Sequence, residues 1–332
     1  MSDWPRVRLH VVTGKGGTGK STVAAALALA LASHGKNVLL CEVEGRQGIA
    51  RMFDVDPLPF EERPIARGLA SEAGTPGTVH ALHIDPEAAL LEYLSLYYRL
   101  GRAGRALDRF GVVEFATTIA PGVRDVLLTG KIYEAVQRNA RNKGAIEYDA
   151  VVLDAPPTGR ITQFLNVSEV AGGLAKVGPI KTQSDTMMTL FRSPRTAIHF
   201  VTVLEEMPVQ ETADGIEQAR EAGLPVGGVV VNLTRPRDLR VKDLPGARKD
   251  ELDRDGIAAD LERVGVDGGD DLVEGLVAEA QDHAVRRTLE DAQRKLVKEL
   301  DVPSYELSRL AQGIDLGGLY ELAAALREQG LA

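Results

Sequence analysis

The chain has 332 residues, 44% of them hydrophobic and 26% charged, enough to bury a sizeable core in one large α/β domain or two small ones. Its net charge of -9, with Lys and Arg scattered, argues against a coat on duplex DNA, so no nucleic-acid partner is expected. The single cysteine, Cys41, excludes an intrachain disulfide and a multi-cysteine zinc site. No apolar run approaches the roughly 18 residues of a membrane span, and Met1 to Arg8 lacks the form of a signal peptide. The expectation is a cytoplasmic protein without stable membrane insertion.

Val7 to Val12 reads as a strand and Thr22 to Ala32, rich in Ala and Leu, as a helix. Between them stands Thr13-Gly14-Lys15-Gly16-Gly17-Thr18-Gly19-Lys20-Ser21-Thr22, which has the form G-x-x-x-x-G-K-[ST] from Gly14 to Ser21. Strand, glycine loop and helix in that order form an anion cradle. Gly14, Gly16, Gly17 and Gly19 let backbone N–H groups close around phosphate, with Thr18 and Thr22 in the same string, and the helix points its positive end there. Lys20 supplies a charge to the β- and γ-phosphates and Ser21 a hydroxyl ligand for Mg²⁺. Lys15 is a second lysine that an ordinary loop of this kind does not require.

Gly35 stops the helix, and Val38 to Val43 is a second buried strand ending in Glu42-Val43-Glu44. Carboxylates at that edge of a parallel sheet lie near the phosphates, where they can hold Mg²⁺ or position water. Asp54 to Gly77, with four prolines, reads as a surface connection and Thr78 to Ile84 as a third strand. His80 and His83 read as packing residues. Helical patterns follow at Glu87–Leu100, Phe110–Thr118 and Pro121–Asn139, too much helix for a simple crossover. Tyr148 to Leu153 is a buried strand whose end, Asp154, is placed to hold Mg²⁺. Asn166–Ser193 is helical, interrupted by glycines, and its Met187-Met188 pair reads as core packing. Ala197–Leu204 and Pro225–Val231 are further strands, the latter ending at Asn232. Arg248 to Leu300 is charged and mostly helical, Val302 to Leu307 is a last strand, and Leu316–Gln329 a terminal helix.

The string Gly-Lys-Gly-Gly-Thr-Gly-Lys-Ser resembles the deviant Walker A loop of the ArsA/Get, MinD and ParA class of ATPases. Ala155-Pro156-Pro157-Thr158-Gly159-Arg160 after Asp154 is similar to the second switch of the ArsA/Get family, D-T-A-P-T-G-H. The resemblance implies a doubly wound, mostly parallel α/β P-loop fold. It implies one domain over 1–332 with a helical subdomain inserted at about 85–145 and 161–195. It implies ATP and Mg²⁺ as ligands, Glu44 as the water-positioning residue, and Ser21, Glu42 and Asp154 at the metal. Lys15 then reaches across a dimer interface to the partner's nucleotide, in a homodimer or a heterodimer with a paralogous ATPase. Thr158 and Gly159 sense the γ-phosphate, Asn232 recognises the adenine edge, and the last strand with Pro303 and Tyr305 closes over the base. Two departures stand out. Glutamates replace the aspartates of D-x-D, and Arg160, always charged, replaces His and can pair with a phosphate or a carboxylate. The implied function is an ATP-driven switch handling a hydrophobic protein client or targeting membrane proteins. The alternatives are the catalytic half of an arsenite or anion pump and a MinD/ParA-like positioning ATPase.

Overall fold

The computed structural model describes residues 2–43, 47–70, 74–98, 121–138, 144–166 and 179–332. Glu44, the helix expected at Phe110–Thr118 and the Gly172-Gly173 interruption lie outside the described residues. The strands are β1 (Leu9–Gly14), β2 (Val38–Glu42), β3 (Arg63–Arg67), β4 (Thr78–His83), β5 (Ala150–Asp154), β6 (Thr196–Thr202), β7 (Val226–Thr234) and β8 (Ser304–Ser308). They form one sheet in the order β3-β4-β2-β5-β1-β6-β7-β8. Every neighbouring pair is parallel except β3 with β4. This is the mostly parallel α/β architecture that the sequence implies.

The apolar runs dictate it. All residues of β1, β2, β5 and β6 are buried, as strands covered on both faces must be. Alternation then sorts side chains to two cores: Val38 and Leu40 face one way, Leu39 and Cys41 the other. The first face is covered by helix α1 (Lys20–Ser33), in which every residue from Val23 to Ser33 is buried. A helix apolar all round must be enclosed, and helix Leu316–Glu328 encloses it with Leu319, Leu322, Ala323 and Leu326. Each leucine so buried contributes about 1.5–3 kcal/mol. The second face carries helices Pro121–Gln137, Thr158–Leu165, Pro179–Phe191 and Glu206–Glu221. Met187 and Met188 are buried in this core.

Strand β3 is absent from the sequence reading, which has a surface connection there. It is a five-residue edge strand containing Pro64, with a register shift between Pro64 and Ala66 and little burial. An edge tolerates a proline because one side of the strand needs no ladder N–H. The same prolines and exposure remove the alternation by which a strand is recognised.

Two buried polar arrangements fix the layers. Arg138 binds Glu134 through two hydrogen bonds of 2.7 Å and Glu62 at 2.7 Å, while the Tyr148 hydroxyl donates to Glu62 at 2.8 Å. Burial alone would raise the Glu62 carboxyl, but the hydrogen bonds from Arg138 and Tyr148 outweigh it and hold it below its ordinary value. In the sheet, His10 Nδ1 and His199 Nε2 lie 3.0 Å apart, and His199 Nδ1 accepts from the Gly228 N–H at 3.2 Å. That network assigns the His199 proton to Nε2, so it donates to His10, whose own proton is at Nε2 without a hydrogen-bond partner. Both rings are wholly buried, and burial pushes both below the ordinary histidine range, His199 to about 3.

Candidate functional site

The loop after β1 has the shape that its glycines require. A Cβ on Gly14 would stand 2.2 Å from the Val201 carbonyl oxygen, so the strand's last residue has no room for a side chain. Gly17 and Gly19 lie in the left-handed region, at φ 91 and 86, which glycine enters without steric cost. The Thr18 N–H and hydroxyl both donate to the Lys15 carbonyl, at 3.3 and 2.9 Å, and close the loop into a turn. Gly19 caps α1 without a side chain. The first-turn amides of a fourteen-residue helix are thus left to an anion. Thr22 is turned aside, its hydroxyl 3.6 Å from the Met52 sulfur.

The carboxylates converge from neighbouring strands. In the sheet register Val12, Glu42 and Asp154 stand level on β1, β2 and β5. The Ser21 hydroxyl donates to Asp154 Oδ2 at 2.5 Å, joining the loop's helix to the end of β5. Glu42 Oε1 accepts the Gly48 N–H at 2.8 Å, while Oε2 is buried without a hydrogen-bond partner, 3.9 Å from His83 Nδ1. Ser21 and Asp154 are in contact and Glu42 is level with Asp154 in the register, all three being hard oxygen donors of the kind that Mg²⁺ takes. The orphaned Glu42 oxygen fits such an ion.

The segment after Asp154 is tied back to β1 by the Thr13 hydroxyl, which donates to the Pro156 carbonyl at 2.7 Å. Thr158 is buried, and its hydroxyl has no hydrogen-bond partner. Gly215 packs against it so closely that a Cβ there would lie 2.1 Å from Thr158 Cγ2. Gly159, by contrast, has nothing within 4 Å of where its Cβ would be. Arg160 lies 3.8 Å from Asp125 of helix Pro121–Gln137. Of the two partners open to it in the sequence, it has a carboxylate.

Asn232 is buried within β7, and its Nδ2 donates to the Thr18 carbonyl at 2.9 Å. A Cβ on Gly19 would stand 2.3 Å from that nitrogen, so side chain and loop are in close contact. Lys15 Nζ lies 3.4 Å from Glu211 Oε2 on helix Glu206–Glu221, both about one-third exposed. Pro303 and Tyr305 stand apart from these groups. The Pro303 carbonyl accepts the Val229 N–H. Tyr305 is buried, with its ring over Gly228 and its hydroxyl shared between Asp3 at 2.6 Å and Trp4 at 3.2 Å. Beyond them, the Arg309 N–H donates to the Thr234 carbonyl at the end of β7, and Arg309 lines a cavity of about 590 Å³ with Leu233 and Arg235. Glu211 and Asp125 are parts of the arrangement that sequence reasoning missed, since each is an ordinary polar residue far along the chain from its partner.

Residues 7–194 match the family model described as anion-transporting ATPase. The chain belongs to that family. This ATPase is 53% identical over 332 residues to ATPase BagA of Mycobacterium tuberculosis (strain ATCC 25618 / H37Rv), covering 99% of this chain and 96% of the relative. It is 26% identical over 192 residues to ATPase get3 of Botryotinia fuckeliana (strain B05.10), covering 56% of this chain and 50% of that one. Family and loop geometry agree in making ATP hydrolysis the chemistry of this site. No helix among the described residues of the ATPase is long and apolar enough to cross a membrane.

Proposed function

We propose that this ATPase is a Mg²⁺-dependent molecular switch that dimerises through Lys15 and couples ATP turnover to a hydrophobic protein client. The observation that carries the reading is the 2.5 Å bond from Ser21 to Asp154, which locks the phosphate loop to the carboxylate end of β5. Ser21, Asp154 and Glu42 would hold the metal, whose chemistry is to neutralise phosphate charge. Lys20 and the α1 amides bind and orient the phosphates, and Glu44 aligns the attacking water. Thr158 and Gly159 offer backbone N–H groups to the terminal phosphate, and Asn232 holds the loop while lying where a base edge is read.

Lys15 supports the dimer. It is about one-third exposed, and its ion pair with Glu211 is long, so it can leave for a partner's nucleotide at little cost. The partner is a second copy or a paralogous ATPase. The helices between β4 and β5 and between β5 and β6 form the proposed helical subdomain, at about 85–145 and 161–195. Because they share one sheet face with the loop after Asp154, they are the segments a phosphate-sensing turn can move.

An arsenite pump subunit fits less well. Arsenite is held by thiolates, and the one thiol here, Cys41, is buried, with burial pushing its pKa up.

Steady-state hydrolysis with Mg²⁺ and with EDTA tests the enzyme, and capture of membrane-protein segments in ADP and ATP states tests the switch. Turnover that needs the metal and clients retained in one nucleotide state support the reading; identical or absent clients in every state contradict it.

A further inference from the structure

Asp125 is a carboxylate buried to 6% exposure on helix Pro121–Gln137. Burial pushes its pKa up, and Arg160, with Arg124 behind it, offsets this only in part. The Arg160 guanidinium is itself 56% exposed and lies 3.8 Å from Asp125 Oδ1. That separation is an ion pair but not a hydrogen bond, which needs about 3 Å. A buried carboxylate is costly unless fully paired, so this pair is held at a distance that is not its most favourable one.

The helix that carries Arg160 bears on that distance. Arg160 is the third residue of helix Thr158–Leu165. Ile161, Phe164 and Leu165 anchor the far part of this helix in the core. At its start, Gly159 has open space around it and the Thr158 hydroxyl has no partner. The turn between Pro157 and Arg160 therefore has room at Gly159, next to a Thr158 side chain that is buried against Gly215. A shift there of about 1 Å closes the Arg160–Asp125 gap to hydrogen-bond length or opens it further.

We propose that Arg160 is a positioning residue: through Asp125 it transmits the state of the Pro157–Gly159 turn to helix Pro121–Gln137. This rests on the switch reading above and names the pair that carries its signal. The bound anion acts on the turn, the turn sets the Arg160 position, and the Arg160–Asp125 distance sets how tightly the helix holds to the sheet.

The test is hydrogen exchange of peptides spanning 124–138 in the full chain, with and without Mg²⁺ and a non-hydrolysable ATP analogue, alongside measured nucleotide affinity. The wild type changes exchange in these peptides on binding by about fivefold or more, the lower range of ordinary site-to-site coupling. Arg160→Ala and the near-isosteric Asp125→Asn keep affinity within about threefold and lose that change, because they remove the link and not the cradle. The exchanged pair, Arg160→Asp with Asp125→Arg, restores it; should that double variant not fold, the two single variants decide. A nucleotide-dependent change that persists in both single variants overturns the proposal, as does a folded charge-exchanged variant without rescue. A wild type that binds ATP with no change at 124–138 overturns the coupling but leaves the ATPase reading intact. A wild type that neither binds nor hydrolyses ATP overturns both.

Discussion

The Lys15 ammonium lies 3.4 Å from the Glu211 carboxylate of its own chain, so the lysine proposed to act on a partner's nucleotide is held in cis on a neighbouring helix. Both side chains are about one-third exposed, and exposed pairs of this kind contribute about 0–1 kcal/mol. The contact is thus strong enough to bias the lysine and weak enough to be exchanged.

Replacing Glu211 with alanine removes that competitor. Thermal stability should hardly move, while ATP-dependent self-association should tighten by about twofold to fivefold, the equivalent of a weak surface pair. Sedimentation velocity with and without nucleotide measures it. Association unchanged or weakened would show that Glu211 does not compete for Lys15.

Asn232 offers a sharper test of the loop. Its Nδ2 donates to the buried Thr18 carbonyl, and Asn232→Asp puts an acceptor against an acceptor. Leaving such a carbonyl unpaired costs about 1–3 kcal/mol. The variant should therefore unfold at lower urea and bind nucleotide at least tenfold more weakly, the weaker binding following because the carbonyl belongs to the loop itself. Isothermal titration at matched folded fraction checks it, and unaltered affinity would detach Asn232 from the site.

These two contacts show what the sequence made legible and what it hid. The loop, the strand ends at Glu42 and Asp154, and the buried strands follow from local pattern: consecutive glycines, apolar runs and one acidic residue at each terminus. Register then brings Glu42 and Asp154 level. Lys15–Glu211 and Arg160–Asp125 are pairings between distant segments, in which the cation stands out in the sequence but no pattern announces its carboxylate. Strand β3 was hidden by Pro64 at an edge. Tyr305 lies in the strand read from the sequence, but it is buried there and the partners of its hydroxyl, Asp3 and Trp4, come from the far end of the chain.

The buried histidine pair predicts a pH dependence. His10 and His199 are neutral in the native state, with pKa values driven down by burial, His199 to about 3. The unfolded chain protonates both near the ordinary 6.5, so below that pH it binds protons that the native state does not. Their contribution is complete well above pH 6.5 and is lost as pH falls through 6.5 towards 3. The slope reaches about 1.4 kcal/mol per pH unit for each ring. His80, also lowered by burial, adds in the same direction. Urea midpoints at pH 7.5, 6.5 and 5.5 should fall slightly between the first two and more steeply to the third. A rise on acidification across this window would mean that the pair is charged in the native state.

The central claim is that Lys15 joins ATP turnover to dimerisation, and Lys15→Ala tests it most directly. Nucleotide affinity, hydrolysis rate and mass in solution are measured on one preparation with Mg²⁺ and ATP. The variant should bind nucleotide within about threefold of wild type, because Lys20 and the α1 amides remain. It should lose ATP-dependent dimers, and hydrolysis should fall about a hundredfold or more, the scale of removing one charge-stabilising group from a transition state. Full turnover by a monomeric Lys15→Ala chain would contradict the account.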